Sequence, residues 1–189
     1  YDIDVLGIGA RSTVSPFIVQ EIADALEGTD KIVLVKNPVN PDLALWLGGI
    51  ERLYSANIKK LGVIHRGFST YEKSKYRNNP EWQLPIELQN RFPDIPLICD
   101  PSHIAGRRDI LQDISQTALD LNFDGLMIEK HIDPDNAWSD AAQQITPSVL
   151  VKMMNDLKIR TLTSEEADYK NQLNTLRTQI DVIDHGLLE

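Results

Sequence analysis

Short apolar runs recur along the first 158 residues, each followed by a stretch whose apolar positions fall at helical spacing. "IDVLGIGA" reads as a strand, and "SPFIVQEIADALEG" as a helix with Pro16 in its first turn. "KIVLVK" is a second strand, followed by the helix "NPVNPDLALWLGGIERLYSA", opened by Asn40 and Pro41. "KLGVIHRG" is a third strand, and after it a polar loop and one helix share "FSTYEKSKYRNNPEWQLPIELQNRFP". "IPLICDP" is a fourth strand, with a helix expected to begin near Arg107 in "GRRDILQDISQTALDL". "DGLMIEKH" is a fifth, before a polar loop and the helix "TPSVLVKMMNDLK". A strand followed by a helix every roughly 30 residues is the signature of a parallel sheet built from βαβ units.

An open doubly wound sheet gathers its ligand groups at one switch point, whereas a barrel gathers them from every strand at one face. Arg11, Lys36, Arg66, His103 and Glu129 each stand at or just past the carboxyl end of a different expected strand. That placement favours an α/β fold of the (β/α)8 TIM-barrel type. About five βα units are present where a barrel has eight, so the N-terminal strands are expected upstream of Tyr1.

After Lys158 the strand pattern stops. The expected division is a partial barrel over 1–158, a linker over 159–168, and a helical segment over 169–189. Leu173, Leu176, Ile180, Ile183 and Leu187 form one apolar stripe in that segment.

Composition narrows the picture a little. A net charge of −9 argues against general binding to nucleic acid or anionic membranes, while leaving room for a local basic pocket. No apolar run approaches the roughly 20 residues of a membrane span. The single cysteine excludes an internal disulfide and fits a reducing cytoplasm.

Arg11, Lys36 and Arg66 would converge in a barrel mouth, and such a group of cations calls for an anionic guest or for neighbouring acids. Guanidinium groups suit bidentate contact with phosphate or carboxylate, and lysine adds a point charge. His103, Glu129 and Asp140 offer one imidazole and two carboxylates, a donor set suited to Mn²⁺, Fe²⁺ or Zn²⁺. His131 competes with Glu129, because period-2 alternation sends both side chains the same way. His65 points the other way, into packing. In "SHIAGRRD", Gly106 permits close backbone approach, and Arg107 and Arg108 at an expected helix start form a candidate second phosphate site.

"IGARSTVS", "VLVKNP", "VIHRG", "DPSHIAGRRD" and "MIEKHIDPDNAWSD" follow one another in the order seen in 3-deoxy-D-arabino-heptulosonate 7-phosphate (DAHP) synthases, which residues 1–158 resemble. The same class includes 3-deoxy-manno-octulosonate 8-phosphate synthases, but "IGAR" together with "DPSH…GRRD" favours the heptulosonate enzymes. The resemblance implies a cytoplasmic, metal-dependent transferase. It would condense phosphoenolpyruvate with erythrose 4-phosphate in an aldol-like step at the entry to aromatic amino-acid synthesis. It implies that Ala10 and Arg11 contact the phosphoenolpyruvate phosphate, that Lys36 bridges its phosphate and carboxylate, and that Arg66 adds a further phosphate contact. His103, Glu129 and Asp140 then match three of four metal ligands, with Lys36 and His103 the candidate catalytic groups. The family's fourth ligand is a cysteine on the first barrel strand, which Cys99 does not match. Its "KPRT"-like segment is also absent, and "HRG" stands where an acidic residue usually precedes "RG".

"LNTLRTQIDVID" resembles the opening of the first helix of all-helical chorismate mutases, which in some DAHP synthases are fused at the C-terminus. That likeness implies a bifunctional protein, an Arg177 that reaches a substrate carboxylate, and dimers formed through mutase helices. Two other readings stay open. One is another phosphate-recognising, metal-dependent aldolase barrel, such as 3-deoxy-8-phosphooctulonate synthase; the other is a regulatory, non-catalytic piece.

Overall fold

The structure, a computed structural model, describes residues 3–160 and 166–187, without the side chain of Leu187. The chain divides into two compact units, 1–158 and 159–189.

The first unit holds five parallel strands: β1 (Val5–Ile8), β2 (Ile32–Lys36), β3 (Leu61–His65), β4 (Leu97–Cys99) and β5 (Gly125–Leu126). Their spatial order is their chain order, each pairing with the next. A doubly wound sheet reverses direction at a switch point. No reversal occurs here, as befits a stretch of barrel wall. β5 is shorter than "DGLMIEKH" led one to expect, because beyond Leu126 the chain keeps only an isolated parallel bridge between Lys130 and Ile145.

Among the described residues, seven α-helices accompany these strands: α1 (Ala10–Thr13), α2 (Pro16–Leu26), α3 (Leu43–Ser55), α4 (Gln83–Arg91), α5 (Pro101–Ala105), α6 (Leu111–Asp120) and α7 (Pro147–Asp156). Capping fixes where the longer ones begin. Ser15 accepts from Ile18 N, and Thr146 from Val149 N. α3 opens at Asp42, whose carboxylate accepts from Leu45 N, rather than at Asn40. α6 begins at Leu111 and not near Arg107, because Gly106 takes a left-handed conformation and ends α5 there.

The core lies between the sheet and its helices. Val33, Val35, Val63, Leu97 and Cys99 from the strands meet Val19, Trp46, Ile50, Leu53, Leu88 and Ile114 from the helices. Within β2 the buried Val33 and Val35 alternate with Leu34 and Lys36, so Lys36 ends the strand on the other face.

His65, the last residue of β3, is fully buried as expected. It sits among Trp46, Phe68, Trp82 and Phe123, with ring centroids 5.3–6.4 Å away. Among the described residues, neither ring nitrogen has a partner of good hydrogen-bond geometry. Burial pushes its pKa down to about 3, outweighing an opposing pull from the Pro80 backbone.

The second unit contains α8 (Ala167–Leu187). Most of the linker expected at 159–168 lies outside the described residues. On α8, Leu176, Ile180 and Ile183 are more than half exposed, and Leu173 is half-buried. No helix among the described residues is long and apolar enough to cross a membrane.

The buried His65 sets a pH dependence. Its folded pKa, about 3, lies below the ordinary 6.5. Between those values the unfolded chain binds a proton that the folded chain refuses. Stability is therefore complete above the ordinary value and falls with pH, by up to about 1.4 kcal/mol per unit. Urea unfolding of parent and His65→Phe, followed by tryptophan fluorescence at pH 7 and pH 5, should show the parent losing about 2 kcal/mol more than the variant. Equal losses would mean that His65 is not held neutral.

Candidate functional site

The carboxyl ends of the strands carry the ionisable groups, and one carboxylate gathers them. Asp100 follows β4, is 1% exposed, and caps α5 by accepting from His103 N at 3.0 Å through Oδ1. Its Oδ2 accepts from Lys36 Nζ at 2.9 Å. The same oxygen lies 2.8 Å from His103 Nδ1, a short contact but off-line for a hydrogen bond, so that buried nitrogen keeps no well-directed partner. Burial alone would raise the Asp100 pKa, yet His103 and Lys36 beside it outweigh that and hold the carboxyl below its usual value.

Two asparagines fix the neighbouring loops. Asn37, fully buried after β2, accepts from Arg66 N at 2.7 Å and donates to Gly67 O and Pro38 O at 2.8 Å. Asn78 accepts from Arg66 Nη1 at 2.7 Å and donates to His103 O at 2.6 Å. Arg66 is thus oriented by both. Burial lowers its pKa, and Arg77 and Arg11 nearby push the same way against Asp100 and Asp140. Arg11 lies in α1, which Thr13 ties to the end of β2 by donating to Lys36 O at 2.9 Å. Ala10 opens that helix after Gly9.

The loop carrying Arg77 and Asn78 is held by two glycines. At Gly67, with φ +76°, an added Cβ would stand 2.7 Å from Asn78 O. At Gly106, with φ +65°, it would collide with the Arg77 stem, 2.8 Å from Cδ. The Arg77 N–H donates to Ile104 O at 3.0 Å.

His103, Glu129 and Asp140 each present one ligand atom within 4.8 Å of the others. The Glu129 backbone is held by its N–H to Ser102 Oγ, at 3.0 Å. Glu129, and not His131, completes this trio. The His131 ring turns back on its own loop, with Nδ1 within 3.0 Å of both Asp133 O and Asp133 N. Asp140 adopts φ +47°, uncommon for a residue with a side chain. Its pKa is lowered, chiefly by a 2.7 Å bond from Arg77. One imidazole and two carboxylates at this spacing suit a divalent cation. Cys99 is buried in the core, and burial pushes its thiol pKa up, so it is an apolar filler.

Arg107 and Arg108 have partners of their own. Arg107 grips Asp109 through two bonds of 2.5 and 2.6 Å, and Arg108 donates to Gln144 O, Asp135 and Ala141 O. With α6 starting at Leu111, the helix N-terminus expected beside them lies further on. Arg177 is exposed on α8.

Asp100, Asn37, Asn78, Arg77 and Gln143 escaped the sequence reading. Asp100 carried a usable signal: it follows a strand as directly as Arg66 does. Arg77 and Asn78 sit in a polar loop with no period, where only contact reveals a role.

The match to the DAHP synthetase I family model spans residues 2–164. A curated relative, the phospho-2-dehydro-3-deoxyheptonate aldolase of Thermotoga maritima, is 25% identical over 155 residues, covering 82% of this chain and 44% of that protein. The chain thus spans less than half of that relative. A truncated form of 3-deoxy-D-arabino-heptulosonate 7-phosphate synthase from Thermotoga maritima superposes with a TM-score of 0.71 at 25% identity, over 81% of this chain and 56% of that one. A second structure, of the phospho-2-dehydro-3-deoxyheptonate aldolase (DAHP synthase) from that organism, gives 0.69 at 25% identity, over 81% and 44%. With its strand-end cations and its His–Glu–Asp trio on this parallel sheet, the chain belongs to the DAHP synthetase I family.

Proposed function

We propose that this chain carries the phosphoenolpyruvate-binding and metal-holding part of a DAHP synthase, which condenses phosphoenolpyruvate with erythrose 4-phosphate in the cytoplasm. The observation that carries this reading is the Lys36–Asp100–His103 contact, which joins the strand-end cations to the acidic trio through one buried carboxylate.

Arg11, Lys36 and Arg66 supply the positive charge that a phosphorylated carboxylate needs, and Asp100 holds the Lys36 ammonium in place. His103, Glu129 and Asp140 would hold a divalent ion, which supplies a Lewis acid for the aldehyde oxygen when bound. Asn78 links the Arg66 side chain to the His103 backbone, so phosphate recognition and the metal trio share one support. Arg107 and Arg108 lie at the next loop, where an incoming sugar phosphate would have to displace Asp109 and Asp135.

For the second unit we propose the first helix of a fused chorismate mutase. Leu176, Ile180 and Ile183 of its apolar stripe are exposed, which a helix of this length does not sustain alone in water. Pairing with further mutase helices or a second protomer would cover it. Arg177 follows Leu176 by about 100° round the helix, beside the stripe.

Three outcomes test these readings in the full-length protein. Titration with Mn²⁺ should show one bound ion per chain, lost in His103→Ala and Glu129→Gln; binding that survives both would remove the trio from the metal site. Lys36→Met should lower kcat/KM for phosphoenolpyruvate by at least about tenfold to a hundredfold, the loss of one charge-assisted contact, with the far-ultraviolet dichroism of the parent. Arg177→Ala should cut chorismate mutase turnover by about tenfold or more; wild-type turnover would leave α8 a structural helix.

A further inference from the structure

Arg77 and Gln143 connect two members of the acidic trio. Arg77 Nη1 donates to Asp140 Oδ1 at 2.7 Å and to Gln143 Oε1 at 2.9 Å. Gln143 Nε2 donates to Glu129 Oε2 at 2.9 Å. These partners fix the amide's orientation, because the flipped form would set an NH₂ against a guanidinium and an oxygen against a carboxylate. Gln143 is 1% exposed, and a polar side chain this deep is kept where both its ends are satisfied. Its own N–H donates to Asp140 O at 3.1 Å, closing the turn that begins at Asp140.

The bonds are selective within each carboxylate. Gln143 takes Oε2 of Glu129, while Oε1 faces His103 Nδ1 at 3.6 Å. Arg77 takes Oδ1 of Asp140, leaving Oδ2. One oxygen of each acid is thus tied back and the other left for a ligand.

We propose that Gln143, anchored by Arg77, is a positioning residue that sets the separation and rotation of Glu129 and Asp140 for a divalent cation. This rests on the metal reading of the trio. Arg77 acts in two opposing ways, since its charge relieves repulsion between the acids and also opposes an incoming cation. Gln143 is neutral, so its removal takes away the bonds to Glu129 and Arg77 without changing the formal charge of the site. Groups that orient metal ligands are typically worth about 10- to 100-fold in affinity.

The test uses the full-length protein, with Mn²⁺ affinity from the electron paramagnetic resonance of free ion and the visible absorption of bound Co²⁺ as readouts. Gln143→Leu should bind Mn²⁺ about 10- to 100-fold more weakly, with shifted Co²⁺ bands. Gln143→Asn, one methylene shorter, should also weaken binding, and it decides the matter should the leucine variant not fold. Gln144→Leu, whose amide only donates to Ser139 O, serves as the control and should match the parent. A parent that binds, with unchanged affinity and bands in the Gln143 variants, overturns the positioning role while leaving the metal site standing. A parent that binds neither ion overturns the metal reading and this inference with it.

Discussion

One buried carboxylate, Asp100, organises this end of the sheet. A carboxylate taken out of water is costly unless paired, and removing one partner of a buried ion pair typically costs about 3–5 kcal/mol. Asp100 meets that cost with Lys36 from β2 and with the first turn of α5. Two strands and a helix are thereby held by one charge, and His103 is delivered to its place by the same capping bond. The arrangement works only because the sheet is parallel and its strands end level. Register pairs Lys36 with Ile64, and His65 with Cys99, so successive strands bring their last residues to one rim.

The rim also explains how an acidic protein can present a basic site. Its net charge is −9, but Arg66 has Arg11 beside it and Arg77 brought in by the loop after β3, with Lys36 joined through Asp100 at the neighbouring strand end. Asp100 and Asp140 temper their mutual repulsion without cancelling it, and the excess is what an anionic guest would meet.

Much of this was readable beforehand because strand ends have a sequence signature. Apolar runs ending in a charged residue located Lys36 and Arg66 to the residue, and alternation placed His65 inside. What failed to read were features decided by contact or by single capping groups. α5 is too short to show a period and goes unread, so the sequence puts the start of α6 several residues too early, with Arg107 at a helix start it does not have. Asp42 rather than Asn40 opens α3 because its carboxylate reaches Leu45 N. Alternation left Glu129 and His131 equal, and a local loop bond separated them. Arg77, Asn78 and Gln143 matter through side-chain partners 12 to 66 residues away, which no local pattern encodes.

The two glycines against Arg77 and Asn78 have an evolutionary consequence. Gly67 and Gly106 come from different loops, yet each leaves room for one member of the same dipeptide. A methyl at either glycine would displace a residue that steers Arg66, His103 or Asp140. Substitutions at these four positions would therefore be epistatic, each acceptable only with a compensating change across the loop. Drift could then pass through this corner of the fold only by paired steps, even while the exposed residues of the same loop, such as Tyr71 and Lys73, vary singly.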